Sequence, residues 1–591
     1  MLVSMVLSVS EISRAYAEMP SGLLDEEINL DDILTDIPPD FDYHGAEASE
    51  WSSLPFFTPT AAGMIVSVRD SLKSMGRPNY YIPDIPGLNP FQSMILWYIQ
   101  NRNAMLPLVT LHGSCRTGYV LKPPTPADNG KYFFKTSAVQ DKLFSFSLLA
   151  ERDAFEPRVV DSYSSYAALP FDQGRSQIIL GDFRPGYAQG LIFSRYGRSY
   201  ANGVDILSHD AVISGNTSFE EKLFLRGILL KGVRGPVSFQ VFSSVRLLDA
   251  TLDENGNATV IDNSGIHLGG APRDNLTETI QGGHVSLRWG RIGELSATGA
   301  VSRYSPSLAQ RPGERYVNNP SGESFVHTGF AGNMELKPVV VFFEHAELQN
   351  AGRATIGGME IRKKKAGVSL LYRDYSPHYW SRHAGGFSSF GATANERGLY
   401  SSAEIELPLA SRFSASLDMA RLVSRTYSRE MPENRIRACF SLHKYFLNGY
   451  TGDVTVRSVR DKDTDRERKN YRFFLEKKPY RSFWGFSTLA AWSESEGKGG
   501  PCLETALTLA GKKSWNLRCS AGLFSLPDYN ARLYISEESI PGQSYTMPVW
   551  GRGETAVMLL VWGPVSCRYR FIHSNLMQTM QECTVQSDIL F

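Results

Sequence analysis

The chain has 591 residues, 42% of them apolar, with 61 Lys+Arg balanced by 61 Asp+Glu. A net charge of zero supplies no long-range field to draw in nucleic acid or anionic lipid, which leaves only local patches for either task. No apolar run reaches the roughly 18 residues of a spanning helix, while the 12% of aromatic residues suits strands.

The first segment, "MLVSMVLSVSEISRAYAEMP", carries a short apolar stretch from Leu2 to Val9 and a small-x-small pattern at Ala15-Tyr16-Ala17. It reads as a secretory signal over 1–17. No Lys or Arg precedes the apolar run, and Glu11 and Arg14 break up the residues after it, so an amphipathic tail is the competing reading. Residues 18–105 read as helical. Ala48, Trp51 and Leu54 recur at helical spacing until Pro55 stops them. Thr58 before Pro59 is a helix start. Ala62, Ile65, Val66 and Arg69 continue it, and Gly76 ends it. A tight turn in "IPGLNP" then leads to a further helical run from Met94 to Ile99.

From about residue 106 to 591, period-two alternation replaces the helical pattern. Phe413, Ala415, Leu417 and Met419 alternate with Ser414, Ser416 and Asp418. Ile436, Ala438, Phe440 and Leu442 alternate with arginine and serine, as do Val565, Cys567, Tyr569 and Phe571. Two architectures satisfy such faces: a soluble sandwich or solenoid with an apolar core, and a transmembrane barrel with its apolar face in lipid. Aromatic clusters such as "YRDYSPHYWSR" near strand ends favour the barrel, as does a last alternating segment ending in Phe591. So do the polar stretches "RSVRDKDTDRERKNY" and 300–324, read as long connections. A repeat of roughly 25 residues per strand and connection predicts about 14 to 20 strands. In "IILGDFRPGYAQGLIF", Asp182, Arg184 and Gln189 are expected to face the lumen or pair across it, with Gly181, Gly186 and Gly190 permitting bends.

Catalytic patterns are weak. "LAGKKS" has Ala506 where a phosphate loop needs its earlier glycine, and reads as a hairpin turn. "HGSCRTG", His112 to Gly118, reads as a strand turn. His345 and His378 have no partner at metal-ligand spacing. The six cysteines form no CxxC. Alternation puts Cys502 and Cys519 on opposite faces, which forbids a bridge between them across a regular hairpin. No catalytic residue, metal ligand or cofactor is assigned.

The turn "IPGL", Ile85 to Leu88, resembles the hairpin of competence-type helix-hairpin-helix proteins, whereas "LPFFTP" has Phe56 and Phe57 where that family's glycine belongs. "FSLLAERDAFEP", "LFLRGILLKGVRGPVSFQVFSSVRLLDATLD" and "NERGLY" are similar, in that order, to segments of large outer-membrane proteins of Bacteroidota and Chlorobi-type bacteria. These proteins join a helix-hairpin-helix region to a barrel. The resemblance implies a mainly β chain: a small all-α helix-hairpin-helix N-terminal domain over 18–105 and a large antiparallel transmembrane β-barrel over 106–591. It implies an outer-membrane location with the helical domain in the periplasm. Its expected partners are outer-membrane lipid and lipopolysaccharide, the barrel assembly machinery and a periplasmic protein. The role it implies is transport, assembly or scaffolding. The alternatives are DNA capture, with Gly87, Leu88 and Asn89 as nucleic-acid contacts, and an outer-membrane hydrolase. Glu151, Asp153, Glu156, Asn395 and Glu396 are expected to be structural, on the lumen face or capping turns.

Overall fold

The structure is a computed structural model that describes Phe41, most of 45–74, Leu96 and most of 111–590. Left undescribed are 1–40, 75–95, 97–110, Phe591 and several connections, of which 196–212, 263–273 and 311–319 are the longest.

Sustained alternation produces one antiparallel sheet that closes on itself. It contains 25 strands, and removing the short Ala258–Asp262, which pairs with the end of Val237–Leu252 beyond the wall, leaves a ring of 25 − 1 = 24. The ring closes where the first strand, Leu111–Leu121, pairs antiparallel with the last, Met580–Leu590. An Arg116–Asp588 ion pair of 2.5 Å lies on that seam. The even count fits a single-chain outer-membrane barrel, but it exceeds the 14 to 20 expected. The repeat is shorter than about 25 residues because one rim carries tight turns: Gly235-Pro236, Lys337-Pro338 and Gly563-Pro564 each join two strands. Of the polar stretches read as connections, the first is mostly wall, with Arg457 and Arg460 in Tyr450–Asp461 and Lys469 in Arg466–Lys477, while the second gives 300–308 to Gly293–Leu308 and keeps 309–321 as a connection. "HGSCRTG" lies inside Leu111–Leu121 rather than at a turn. A strand with polar residues on both faces loses its period-two signature, which is why these pieces read as loop.

Exposure decides between sandwich and barrel. In Val237–Leu252, Phe239, Val241, Val245 and Leu247 are 40–56% exposed, while Gln240, Ser244 and Arg246 between them are no more than 7% exposed. The same inversion holds in Ser411–Leu422, with Leu417 and Met419 outside and Ser416 and Asp418 inside, and in Val565–Ser574, with Tyr569 outside and Arg568 inside. An apolar exterior around a polar interior is unfavourable in water and stable in a bilayer. Exposed Phe171, Trp289, Phe446, Phe483, Trp515 and Trp562 lie at or beside strand ends on the tight-turn rim, where a membrane boundary takes aromatic rings.

The two rims differ. On the tight-turn rim the longest connection, 478–483, has six residues. The other rim carries 184–224, 309–321, 376–395, 423–433 and 527–550. Cys502 is buried and Cys519 exposed on paired strands, and all six cysteines are free thiols.

Candidate functional site in the barrel lumen

Three connections from the long-connection rim turn back into the lumen. The first continues "IILGDF". The strand Ser176–Phe183 ends there, and 184–195 leaves the wall instead of forming the second strand of a pair. Gly181 has φ +102°, and a Cβ there would lie 2.3 Å from the Ser165 carbonyl oxygen, so the departure requires glycine. Asp182 stays on the wall, bonded by Arg226 at 2.6 Å and by the Ser164 hydroxyl at 2.8 Å. The infolded piece carries Tyr187, Leu191, Ile192 and Phe193 into a cluster with wall residues such as Phe183, Phe242 and Ile280. The Tyr187 ring stacks on His284 at 4.1 Å, and its hydroxyl donates to Gln240 at 2.9 Å.

The second, 376–395, meets the first. Tyr379 Oη donates to the Leu191 carbonyl at 2.7 Å, the Ser194 N–H to the His383 carbonyl at 2.8 Å, and the Gly385 N–H to the Gly190 carbonyl at 3.0 Å. The third, 527–550, forms its own hairpin, Leu533–Glu537 with Tyr545–Val549, and packs Leu533, Ile535 and Val549 on Cys502, Phe524 and Leu526 of the opposite wall.

Ion pairs fasten these pieces to the wall. Glu344 accepts from the Gln189 N–H at 2.7 Å. Arg382 and His383 flank Glu278 at 3.3 and 3.4 Å, and the Tyr304 hydroxyl donates to that carboxylate at 2.7 Å. Burial pushes the His383 imidazole below its ordinary pKa, against the pull of Glu278. Burial likewise holds the Tyr379 phenol neutral, with its pKa well above 10. Arg373, fully buried, donates to Glu396 at 2.5 Å and to Asp418 at 2.9 and 3.1 Å. Glu396 also takes the Ser388 hydroxyl at 2.6 Å and the Ser389 and Phe390 N–H groups. Arg568 and Arg570 hold Glu537 of the third piece beside Glu582.

The structural roles expected for the motif residues agree with these contacts. Glu151 and Asp153 share Lys131 at 3.1 and 2.8 Å. Asn395, at φ +56°, ties its side chain to the backbone of Ser424. Glu156 lies outside the described residues.

One part of the wall differs. Among the described residues, the lumen clusters of buried apolar residues come from 166–400 and from 491–561, and none of their members belongs to the strands beside the seam, where Arg568 and Arg570 hold Glu537, or to Asn434–Tyr445, Tyr450–Asp461 or Arg466–Lys477. The inner face of these last three strands carries Arg435, Arg437, Arg457, Arg468 and Arg472. Only the first strand's alternation was noted from the sequence. The signal for the rest was Arg466, Arg468, Asn470 and Arg472 at every second position in "RERKNYR", masked by charges on the outer face near the rim.

In the N-terminal region, Pro59–Ser74 is a helix as the Thr58-Pro59 signal predicts, and Trp51, Leu54, Phe57, Ala62 and Ile65 are buried. Arg69 is buried, donating to the Ala46 carbonyl at 2.5 Å and to Asp70 at 3.0 Å, which takes it away from any phosphate. Arg412 on the tight-turn rim contacts Met64 Sδ at 3.8 Å, so the helix lies against that rim. Gly87, Leu88 and Asn89 lie outside the described residues, as does the turn that would complete a helix-hairpin-helix unit. Among the described residues, no group of three or more His, Cys, Asp or Glu could hold a metal.

These features define an integral β-barrel of the outer-membrane type with a partly filled lumen. No protein-family model matches the chain, and no curated protein matches it. Among solved structures it is similar to the P pilus usher PapC translocation pore, with 9% identity, TM-score 0.34 and coverage of 81% of this chain and 99% of that one. It is also similar to the ferric enterobactin receptor of Pseudomonas aeruginosa, with 9% identity, TM-score 0.41 and coverage of 81% and 80%. A third is Wzi of Escherichia coli, an outer-membrane protein involved in group 1 capsule assembly, with 11% identity, TM-score 0.34 and coverage of 74% and 95%.

Proposed function

We propose that this protein passes solute across the outer membrane through a lumen narrowed by its own infolded connections, without catalysing a reaction. The observation that carries this reading is the gap in the packing. Among the described residues, two bodies fill the lumen beside 166–400 and 491–561, and the wall between them over 434–477 is polar. A lumen packed all round would fit a scaffold, whereas a strip of wet polar wall between two fillings is a path.

The rim asymmetry supports an orientation with long connections at the cell surface and tight turns in the periplasm. The helix at Arg412 then lies on the periplasmic side, where a helical region over 18–105 would meet a periplasmic partner. The resemblance to the Bacteroidota and Chlorobi-type proteins belongs to the same reading. It rests on "LAERDAFEP" and "NERGLY", whose Glu151 and Glu396 take fastening roles in the wall. The burial of Arg69 counts against DNA capture by the helical region.

Conductance in planar bilayers tests the reading. The wild-type protein is expected to give discrete steps. Glu537→Gln, which removes the charge that Arg568 and Arg570 hold in the third infolded piece, is expected to give larger ones. Silence from both proteins, each migrating as a folded barrel, would overturn transport in favour of scaffolding.

A further inference from the structure

The polar strip of wall between the two fillings is an arginine staircase. In the pairing of the three strands, Arg437 lies opposite Val459, which lies opposite Arg468, so the two arginines share a row. Arg435 is two residues nearer the long-connection rim than this row. Arg457 sits two residues deeper, opposite Asn470, and Arg472 two deeper again, opposite Thr455. From Arg435 to Arg472 there are six residue steps, about 20 Å of wall at 3.3–3.4 Å per residue. Tyr471 and Phe473, which alternate with Arg472, are exposed on the outer surface, so the arginines face the lumen.

On the inner face of these three strands Arg435, Arg437, Arg457, Arg468 and Arg472 outnumber the carboxylates of Asp453, Asp461 and Glu476. Arg435 is paired with Asp461 at 2.5 Å. Arg468, Arg472 and Arg532 pair with no carboxylate among the described residues. Arg472 donates to the Tyr534 carbonyl at 2.9 Å, and Arg532 to the Tyr529 carbonyl at 2.9 Å and the Tyr534 hydroxyl at 3.1 Å. Arg468 instead feels the like charges of Arg532, Arg457 and Arg435, and Arg472 those of Arg457 and Arg468. Elsewhere in the same lumen the guanidinium groups of Arg373, Arg568 and Arg570 each meet two carboxylates. Clustered like charge in a confined space costs stability unless a counter-charge enters. Arg457 and Arg468 are half-buried as whole residues, and the Arg472 guanidinium is enclosed at the foot of the row.

We propose that this staircase binds and conducts multivalent oxyanions, solutes carrying phosphate or carboxylate groups. Guanidinium forks match both in bidentate geometry. The staircase begins at the long-connection rim, where Arg435 and Arg437 also donate to the Ser389 carbonyl of the second infolded piece. It ends at the third, where Tyr534 and Arg532 meet Arg472 and Arg468. An anion would therefore descend between the two fillings from one pair of arginines to the next.

The inference rests on the transport reading, and its test separates the two. The full chain and a triple variant, Arg457→Gln with Arg468→Gln and Arg472→Gln, are compared with the corresponding triple lysine variant. Heat-modifiable migration verifies folding. In a potassium chloride gradient the wild type and lysine variant are expected to give an anion-selective reversal potential, and the glutamine variant to lose it. Inorganic phosphate and citrate are then titrated against chloride current and, by calorimetry, against protein in detergent. Block or binding by phosphate alone, citrate alone or both supports the staircase and says which oxyanion it prefers, provided the glutamine variant loses it. Binding without conductance keeps the staircase and overturns transport. Conductance with no anion preference, and no binding that the glutamine variant loses, overturns the staircase and keeps transport.

Discussion

Arg373 shows what a single lumen residue contributes. Its guanidinium, fully buried, is neutralised by Glu396 and Asp418 on two further strands. Removing one partner leaves a charge in a dry site and costs about 3–5 kcal/mol. Asp418→Ala is therefore expected to lower the temperature at which the folded band converts to the unfolded one, with Arg373→Met plus Glu396→Gln plus Asp418→Leu recovering part of the loss. A second residue sets a pH dependence. His383 faces Glu278, Arg382, Arg246 and, further off, His327. Its folded pKa is depressed from the ordinary value of 6.5, so the neutral ring is the form the fold prefers. The associated stability is complete above pH 6.5 and is lost as pH falls below it. Between pH 7.5 and about pH 5 the same conversion temperature should drop, and His383→Gln should flatten that drop.

At the scale of elements, alternation was legible and orientation was not. Val565, Cys567, Tyr569 and Phe571 name one face of a strand, but nothing in a single strand says whether lipid or a core lies against it. Exposure of Tyr569 beside buried Arg568 settles the matter. The infolding of 184–195 was also hidden. Gly181, Gly186 and Gly190 mark a bend without saying where the chain goes, and the group that receives it, Glu344, is 155 residues from Gln189. The arginine row escaped because its members lie on separate strands whose register only the closed wall reveals. Gly181→Val provides a test of the bend. Its side chain would meet the Ser165 carbonyl at a backbone angle that L residues avoid. The variant is expected to fold in much lower yield, and Gly235→Ala, in open space at a tight turn, to fold in higher yield than Gly181→Val.

At the scale of the molecule, the bilayer acts as the solvent for the outer surface. Val241 lies within the apolar band, 48% exposed. Val241→Arg would be nearly neutral on a water-facing sheet, but in hydrocarbon it costs about 2–4 kcal/mol near the midplane. Unfolding in lipid vesicles measures the difference, and a change below about 0.5 kcal/mol would contradict the membrane assignment. Closure has its own consequence. Leu111–Leu121 and Met580–Leu590, at opposite ends of the wall's sequence, are partners, so during synthesis the first strand waits for the last before its outer backbone groups are satisfied. A polypeptide cut before Met580 would not settle as a narrower cylinder. It would keep two open borders, each a ribbon of unbonded amides and carbonyls ready to join another copy. The expected product is sedimenting aggregate, and a monodisperse 23-stranded species would show that the border strands can find a new register.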